Sequence, residues 1–416
     1  MGLRISVILL LLPLLAGLPR CMGSEAALKP VGSSEHARLD ISAVTQLLDV
    51  FDLIHRKNPG YKAALAGLSK VAADSGQREI ERLTARNSSD PEISNAIQKL
   101  LDSPTYRLYY RQFRNVTPEI HRQVLTALPY RAIPSPGDIG SSLYAMYQNR
   151  DSVRAWVTSV ISLVDLDTAH QVALRWLPPG EYAPPVIHFF CDGNADAFAH
   201  EGEVGFDLYG TILSLRPAET RFSNLGTVGK GEIEGILAHE LHHIYSARYL
   251  YPPGREYATW RDQWKDRLIR QIVSEGVAMQ CNPLQGLRRT LREDTVVVRY
   301  WIGQLNEKLA ALQGDSISEP RIQEWYERSF HETATMLLND YRKRAAPAED
   351  SAAFMRQHIA ERPSMIYTLG WWMVGRILEM ENGREKVIQL LTSAPDLFAI
   401  YNGTGAGSAS GFKVDD

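Results

Sequence analysis

From about Asp40 to Ala173, apolar positions recur at three- and four-residue steps. Ile41, Val44, Leu47, Leu48, Phe51 and Ile54 form one such stripe, as expected for a helix with one buried face. Asn58-Pro59-Gly60 stops it, because proline and glycine break helical continuity. The same spacing predicts further helices near 61–73, 77–86, 91–101, 105–113, 117–128, 138–148, 152–163 and 167–174. No fixed-period repeat is present. The character changes after Leu177-Pro178-Pro179-Gly180 and Pro184-Pro185. Val186-Ile187-His188-Phe189-Phe190 reads as a buried strand, and 205–215 as one or two more. A long helix is expected from Gly231 to about Leu250, with Glu232 and Glu234 suited to the positive end of its dipole and Pro252-Pro253-Gly254 after it. A second should cover 261–280, and others 295–312, 320–344, 350–360, 364–380 and 383–391. The Gly/Ser/Ala-rich stretch 402–411 reads as a mobile tail. The expected fold class is α+β and predominantly helical. A small sheet lies next to the long central helix, flanked by N- and C-terminal helical regions.

With 416 residues, 22% charged and 44% hydrophobic, the chain has globular composition and enough length for a large core. A net charge of −3 gives no electrostatic basis for a nucleic-acid or anionic-membrane partner. Arg4 precedes an apolar run, Ile5 to Leu18, interrupted by Ser6, Pro13 and Gly17. A spanning helix needs about 20 apolar residues, so this shorter run reads as a signal peptide over 1–23, with an uncleaved anchor as the alternative. Cleavage near Gly23 to Ala27 would leave a secreted or periplasmic protein with no stable membrane association. Cys21 follows Leu-Pro-Arg, which lacks the small residue that lipoprotein processing requires. Three cysteines are too few for a disulfide scaffold. Cys191 and Cys281 could form a bridge or remain two buried thiols. Asn87, Asn115 and Asn402 begin glycosylation triplets, relevant only in a eukaryotic source. The mature chain divides into a helical region at 36–176, a catalytic unit at 180–283, a second helical region at 284–400 and a tail at 401–416.

The chemistry centres on Ala238-His239-Glu240-Leu241-His242-His243-Ile244. It contains His-Glu-x-x-His, and on a helix His239 and His243 are one turn apart and face the same way. Two such imidazoles can bind one Zn²⁺, and Glu240 can act as general base toward its water. This is the metalloprotease arrangement of the motif. The alternative is a surface helix that happens to carry His and Glu. His242 points about 100° away and reads as a second-sphere or core residue. His188, on a strand, reads as structural. His331-Glu332-Thr333-Ala334-Thr335 lacks a second histidine. A catalytic zinc needs a third protein ligand. Glu275 lies in Ile272-Val273-Ser274-Glu275-Gly276-Val277-Ala278, among apolar or small residues, and a buried carboxylate there needs a partner. A metal would supply one; Arg267 or Arg270 is the alternative. Glu256, Asp262 and Asp266 sit among charges and read as solvated. Gly276 and Ala278 would let two helices approach closely.

His239-Glu240-Leu241-His242-His243 followed by Ser274-Glu275-Gly276-Val277-Ala278 resembles the gluzincin metallopeptidases. Within them the chain looks most like a little-studied bacterial family of zinc-dependent peptidases. Leu39-Asp40 and Tyr367-Thr368-Leu369-Gly370 extend the likeness over most of the mature chain. The resemblance implies His239, His243 and Glu275 as ligands of one zinc per chain and Glu240 as catalytic base. Two features depart from thermolysin-like members. Glu275 follows His243 by 32 positions, a longer gap, and Met279 stands where they carry a histidine-orienting aspartate. The orienting partner must come from elsewhere, and Asp207 is one candidate.

Tyr367 is a candidate hydrogen-bond donor to the oxyanion of the tetrahedral intermediate. A core tyrosine beside Trp371 and Trp372 is the alternative. Residues 205–215 could offer an edge strand to an extended peptide, with an ordinary sheet strand as the alternative. The resulting expectation is an exported zinc metallopeptidase acting on a peptide or protein. A zinc hydrolase of a non-peptide amide, such as a cell-wall cross-link, and a non-catalytic metal-binding protein are the rivals.

Overall fold

The stripe that starts at Ile41 forms helix α1 (Ser42–Lys57), and Val44, Leu47, Leu48, Phe51 and Ile54 are all buried on it. The computed structural model describes residues 38–61, 73–113, 115–130, 139–193, 197–210, 230–281, 295–313, 318–319, 365–409 and 412–415. The signal-peptide region and the helices expected at 320–344 and 350–360 lie outside these residues, as does most of the one expected at 61–73.

Among the described residues seven more helices follow: α2 (Ala73–Ser89), α3 (Pro91–Leu101), α4 (Pro104–Gln112), α5 (Pro118–Ala127), α6 (Ile139–Gln148), α7 (Arg150–Leu163) and α8 (Leu166–Leu174). Three of them begin alike. Asp90, Ser103 and Thr117 accept backbone N–H bonds with their side-chain oxygens, and a proline follows each at the first helical position. That placement satisfies orphan amide donors and costs no hydrogen bond.

A four-stranded sheet lies beside them. Its strands are β1 (Arg38–Asp40), β2 (Val186–Phe190), β3 (Ala197–His200) and β4 (Glu203–Asp207), in the order β1-β2-β4-β3. β1 and β4 both run parallel to β2, while β3 returns antiparallel to β4. The β3–β4 turn uses Glu201 and Gly202, both at positive φ. The strand expected from Gly205 is corrected in two ways, while 211–215, where a second strand is expected, lie outside the described residues. It begins at Glu203 and ends at Asp207, and Leu208–Gly210 already turn as helix. β4 is also an interior strand, flanked by β2 and β3, which is the alternative of an ordinary sheet strand, so among the described residues the last strand at this end of the sheet is β3. His188 is structural as expected. Its Nδ1 lies 3.0 Å from Asp40 on β1 and 3.3 Å from Thr105 Oγ1, and its Nε2 lies 3.4 Å from Glu203 on β4. One imidazole thus links three strands.

The long helix α9 (Lys230–Leu250) packs on α8, on β3 and β4, and on α10 (Trp260–Ala278). α10 starts with a capping box between Thr259 and Asp262. The C-terminal part comprises α11 (Thr295–Gln313), α12 (Met365–Leu378), α13 (Gly383–Leu390) and α14 (Leu397–Asn402). α12 lies along α10. The tail is docked, contrary to the mobility read from its composition. Phe412 stacks on Trp372 at 5.7 Å between ring centroids, and Val414 is fully buried. The Asn402 side chain donates to the Val414 carbonyl and accepts its N–H. Trp372 itself is a core residue whose Nε1 donates to Tyr401 Oη.

Cys191 and Cys281 are both free and buried, so no bridge joins them. Two glycosylation triplets are structurally spent. Asn87 is buried and donates to the carbonyls of Thr126 and Leu128, and Asn402 holds the tail. Asn115 is exposed.

Candidate metal centre

α9 is buried on nearly every side from Ile233 to His242. A helix walled in this way fixes the direction of each side chain. His239 and His243, one turn apart, bring their Nε2 atoms to 3.0 Å, with ring planes at 82°. α10 crosses beside them and carries Glu275 inward. Its Oε2 lies 3.4 Å from His239 Nε2 and 3.4 Å from His243 Nε2. These three residues form the one such cluster of potential metal ligands among the described residues.

The cluster has the chemistry and the size of a zinc site. Two imidazole nitrogens and a carboxylate oxygen are an established catalytic donor set. Tetrahedral zinc, with bonds of about 2.0–2.2 Å, holds its ligand atoms roughly 3.3–3.6 Å apart. Both distances to Glu275 fall in that span, and the His–His distance is slightly shorter. The alternative reading of Glu275 as the partner of an arginine does not hold. Arg267 is exposed, and Arg270 donates from Nε to Asp266 at 2.6 Å.

The three groups are also coupled electrostatically. Burial opposes a charge on His243, but the neighbouring Glu275 carboxylate outweighs it and holds the imidazole up at about 9. Burial likewise opposes a charge on Glu275, yet His243 and His239 hold its carboxyl well below the usual range. Glu240 is 8% exposed, and its Oε1 is 4.0 Å from His239 Nε2, at the edge of the cluster. His242 is fully buried and belongs to the core. Burial and the two flanking histidines push it down to about 3, so it stays neutral.

Asp207 does not orient a ligand. The oxygens of its fully buried carboxyl group accept N–H bonds from Asp192, Gly193, Tyr209 and Gly210, bracing the loops at the ends of β2 and β4. The group that meets the second histidine is Ser274, whose Oγ lies 3.0 Å from His243 Nδ1. The sequence offered one signal for it: a polar residue beside Glu275 in an otherwise apolar stretch. Asp266 is also corrected. Rather than solvated, it is buried, with Arg270, Arg255 and the Tyr257 hydroxyl all converging on it. Glu256 and Asp262 are exposed as expected, and Asp262 serves the capping box. Tyr367 is half-buried on α12, one turn before Gly370, whose backbone lies against Gly276.

No curated protein and no solved structure matches the chain. A family model does, over residues 80–404, a span that includes His239, His243, Glu275 and most of the described helices. The chain therefore belongs to the family described as "Putative zinc dependent peptidase (DUF5700)".

Proposed function

We propose that the protein is an exported zinc metallopeptidase that hydrolyses peptide bonds with Glu240 as general base. The observation that carries this reading is the triangle of His239 Nε2, His243 Nε2 and Glu275 Oε2 with the Glu240 carboxylate at its rim. When bound there, zinc lowers the pKa of a water and polarises a carbonyl. The chain's own groups do the rest. His239, His243 and Glu275 hold the ion. Glu240 takes the proton of the attacking water and passes it to the leaving amine nitrogen. Tyr367 donates a hydrogen bond to the oxyanion. The substrate is a peptide or protein. The N-terminal apolar run directs export, and among the described residues no helix is long and apolar enough to cross a membrane.

Elemental mass spectrometry of the wild type, His243→Ala and Glu275→Ala, with peptide-library cleavage by the wild type and Glu240→Gln, tests the reading. About one zinc per wild-type chain, lost in both ligand variants, supports the site. Cleavage lost in Glu240→Gln with zinc retained supports the peptidase. Zinc without cleavage of any peptide would favour a non-peptide amide or a binding role. N-terminal sequencing of the protein recovered outside the cytoplasm tests export; an intact Met1 would refute cleavage.

A further inference from the structure

The two histidines of the cluster are not held in the same way. His239 Nδ1 is buried and has no hydrogen-bond partner among the described residues, so no polar contact there holds the back of that ring. His243 Nδ1 meets Ser274 Oγ at 3.0 Å. A serine inside a helix commonly turns its hydroxyl back onto the carbonyl four residues earlier. Ser274 is 7% exposed and directs its hydroxyl across to α9 instead. It is also the residue immediately before Glu275, so one turn of α10 contributes both a candidate ligand and the contact to another.

We propose that Ser274 is a positioning residue for His243, a role that rests on the zinc reading above. For Nε2 to hold a metal ion between Glu275 and His239, that nitrogen must be free of its proton, and the ring proton must sit on Nδ1. Ser274 Oγ accepts that proton's hydrogen bond, which fixes both the tautomer and the rotation of the ring. The acceptor is a neutral hydroxyl. It therefore orients the imidazole without placing a second buried carboxylate beside Glu275. Met279, where thermolysin-like enzymes carry an aspartate, can make no such bond, and the serine supplies the contact from five residues earlier.

The test compares full-length wild type, Ser274→Ala and Ser274→Thr. Zinc affinity is read by competition with a chromophoric chelator. The protonated nitrogen of His243 is read by ¹⁵N NMR of the zinc-loaded protein. The expected result is affinity weaker by about tenfold or more in Ser274→Ala, with a weakened Nδ1–H signal and unchanged circular dichroism. Ser274→Thr, which keeps the hydroxyl, should restore both. Equal zinc affinity and an unchanged Nδ1–H signal in Ser274→Ala would overturn the role of Ser274 while leaving the metal site intact. A wild-type protein that binds no zinc would overturn the site and this role together. If Ser274→Ala fails to fold, Ser274→Val, which has the shape of the threonine variant without its hydroxyl, replaces it, and unaltered affinity there overturns the role.

Discussion

A Cβ placed on Gly276 would stand within 2.7 Å of the Gly370 carbonyl carbon, and one on Gly370 within 2.7 Å of the Gly276 amide nitrogen. The two glycines let α10 and α12 cross backbone against backbone, directly beside Glu275. Gly276→Ala sets two effects against each other. Alanine favours a helix over glycine by about 1 kcal/mol. Overpacking a tight contact costs about 1–3 kcal/mol, and a rigid backbone has no side chain to turn aside. Overpacking should win, so urea denaturation should show a net loss of about 1–2 kcal/mol. Zinc per chain should fall with it, because Glu275 is carried on the displaced helix. Gly370→Ala should behave alike, and the double variant should lose less than the sum of the two. A Gly276→Ala protein more stable than wild type would refute this packing argument.

The relation between Gly276 and Gly370 also marks what the sequence discloses. His239 and His243 are legible because a four-residue spacing on a helix has one geometric meaning. Glu275 is legible because a carboxylate among Ile272, Val273 and Val277 has few ways to be satisfied. Gly276 announces a close approach but not its partner. Long-range convergence is what stays hidden. Asp266 has charged sequence neighbours, yet Arg255 and Arg270 fold over it and it is buried. Residues 402–411 have the composition of a linker, but Trp372 and Asn402 dock the residues around them. β1 has only three residues, too few for any alternation to show. Leu208–Gly210 follow β4 with strand-like residues and still turn as helix, because an oxygen of the Asp207 carboxyl group draws in the N–H groups of Tyr209 and Gly210.

Arg270 is 2% exposed. It donates from Nε to Asp266 and from Nη1 to the Leu250 carbonyl, at the end of α9. It therefore fastens the end of the histidine helix to the start of the glutamate helix. Arg270→Ala would leave Asp266 as a buried carboxylate with, among the described residues, the half-exposed Arg255 as its cationic partner. Removing one member of a buried pair typically costs about 3–5 kcal/mol. Arg255 remains, so the lower end is expected, read as a shift of the urea midpoint. Asp266→Asn should cost less, since the amide oxygen still accepts from Arg270. Equal losses in the two variants would assign the effect to packing.

Chelation should leave the fold in place. α9 and α10 are held by apolar burial around Leu237, Leu241, Leu268 and Ile272 as well as by the cluster. A ligand at a thousand times its Kd stabilises by about 4 kcal/mol, so stripping zinc with a chelator should lower the melting temperature by several degrees without loss of helical circular dichroism. Restoring zinc should reverse the shift in the wild type and not in His243→Ala. Unfolding on chelation would identify the metal as the main support of the fold.

His121 and the Asp192–Asp207 pair give the protein opposite sensitivities at the two ends of the pH scale. His121 is fully buried against the rings of Tyr106, Tyr109 and Tyr110; neither ring nitrogen has a hydrogen-bond partner among the described residues, and Nε2 lies 3.7 Å from Asp192 Oδ2. Burial pushes it down to about 4. The unfolded chain, with an ordinary imidazole near 6.5, thus binds the proton more readily, and stability falls as pH drops from about 6.5 toward 4. His121→Phe keeps the ring and removes the titration, so its melting temperature should decline less over that interval. Asp207 has the opposite sign. Burial, then the adjacent Asp192, raises it well above the usual carboxylate range. Stability from its retained proton is full below the unfolded value and is lost as pH rises through the folded one. Asp192→Asn removes the repelling charge and keeps a polar neighbour, so it should raise the melting temperature at neutral and alkaline pH and change it little near pH 3. A parallel shift of the whole melting curve in either variant would show that the substitution acts through packing rather than through a proton.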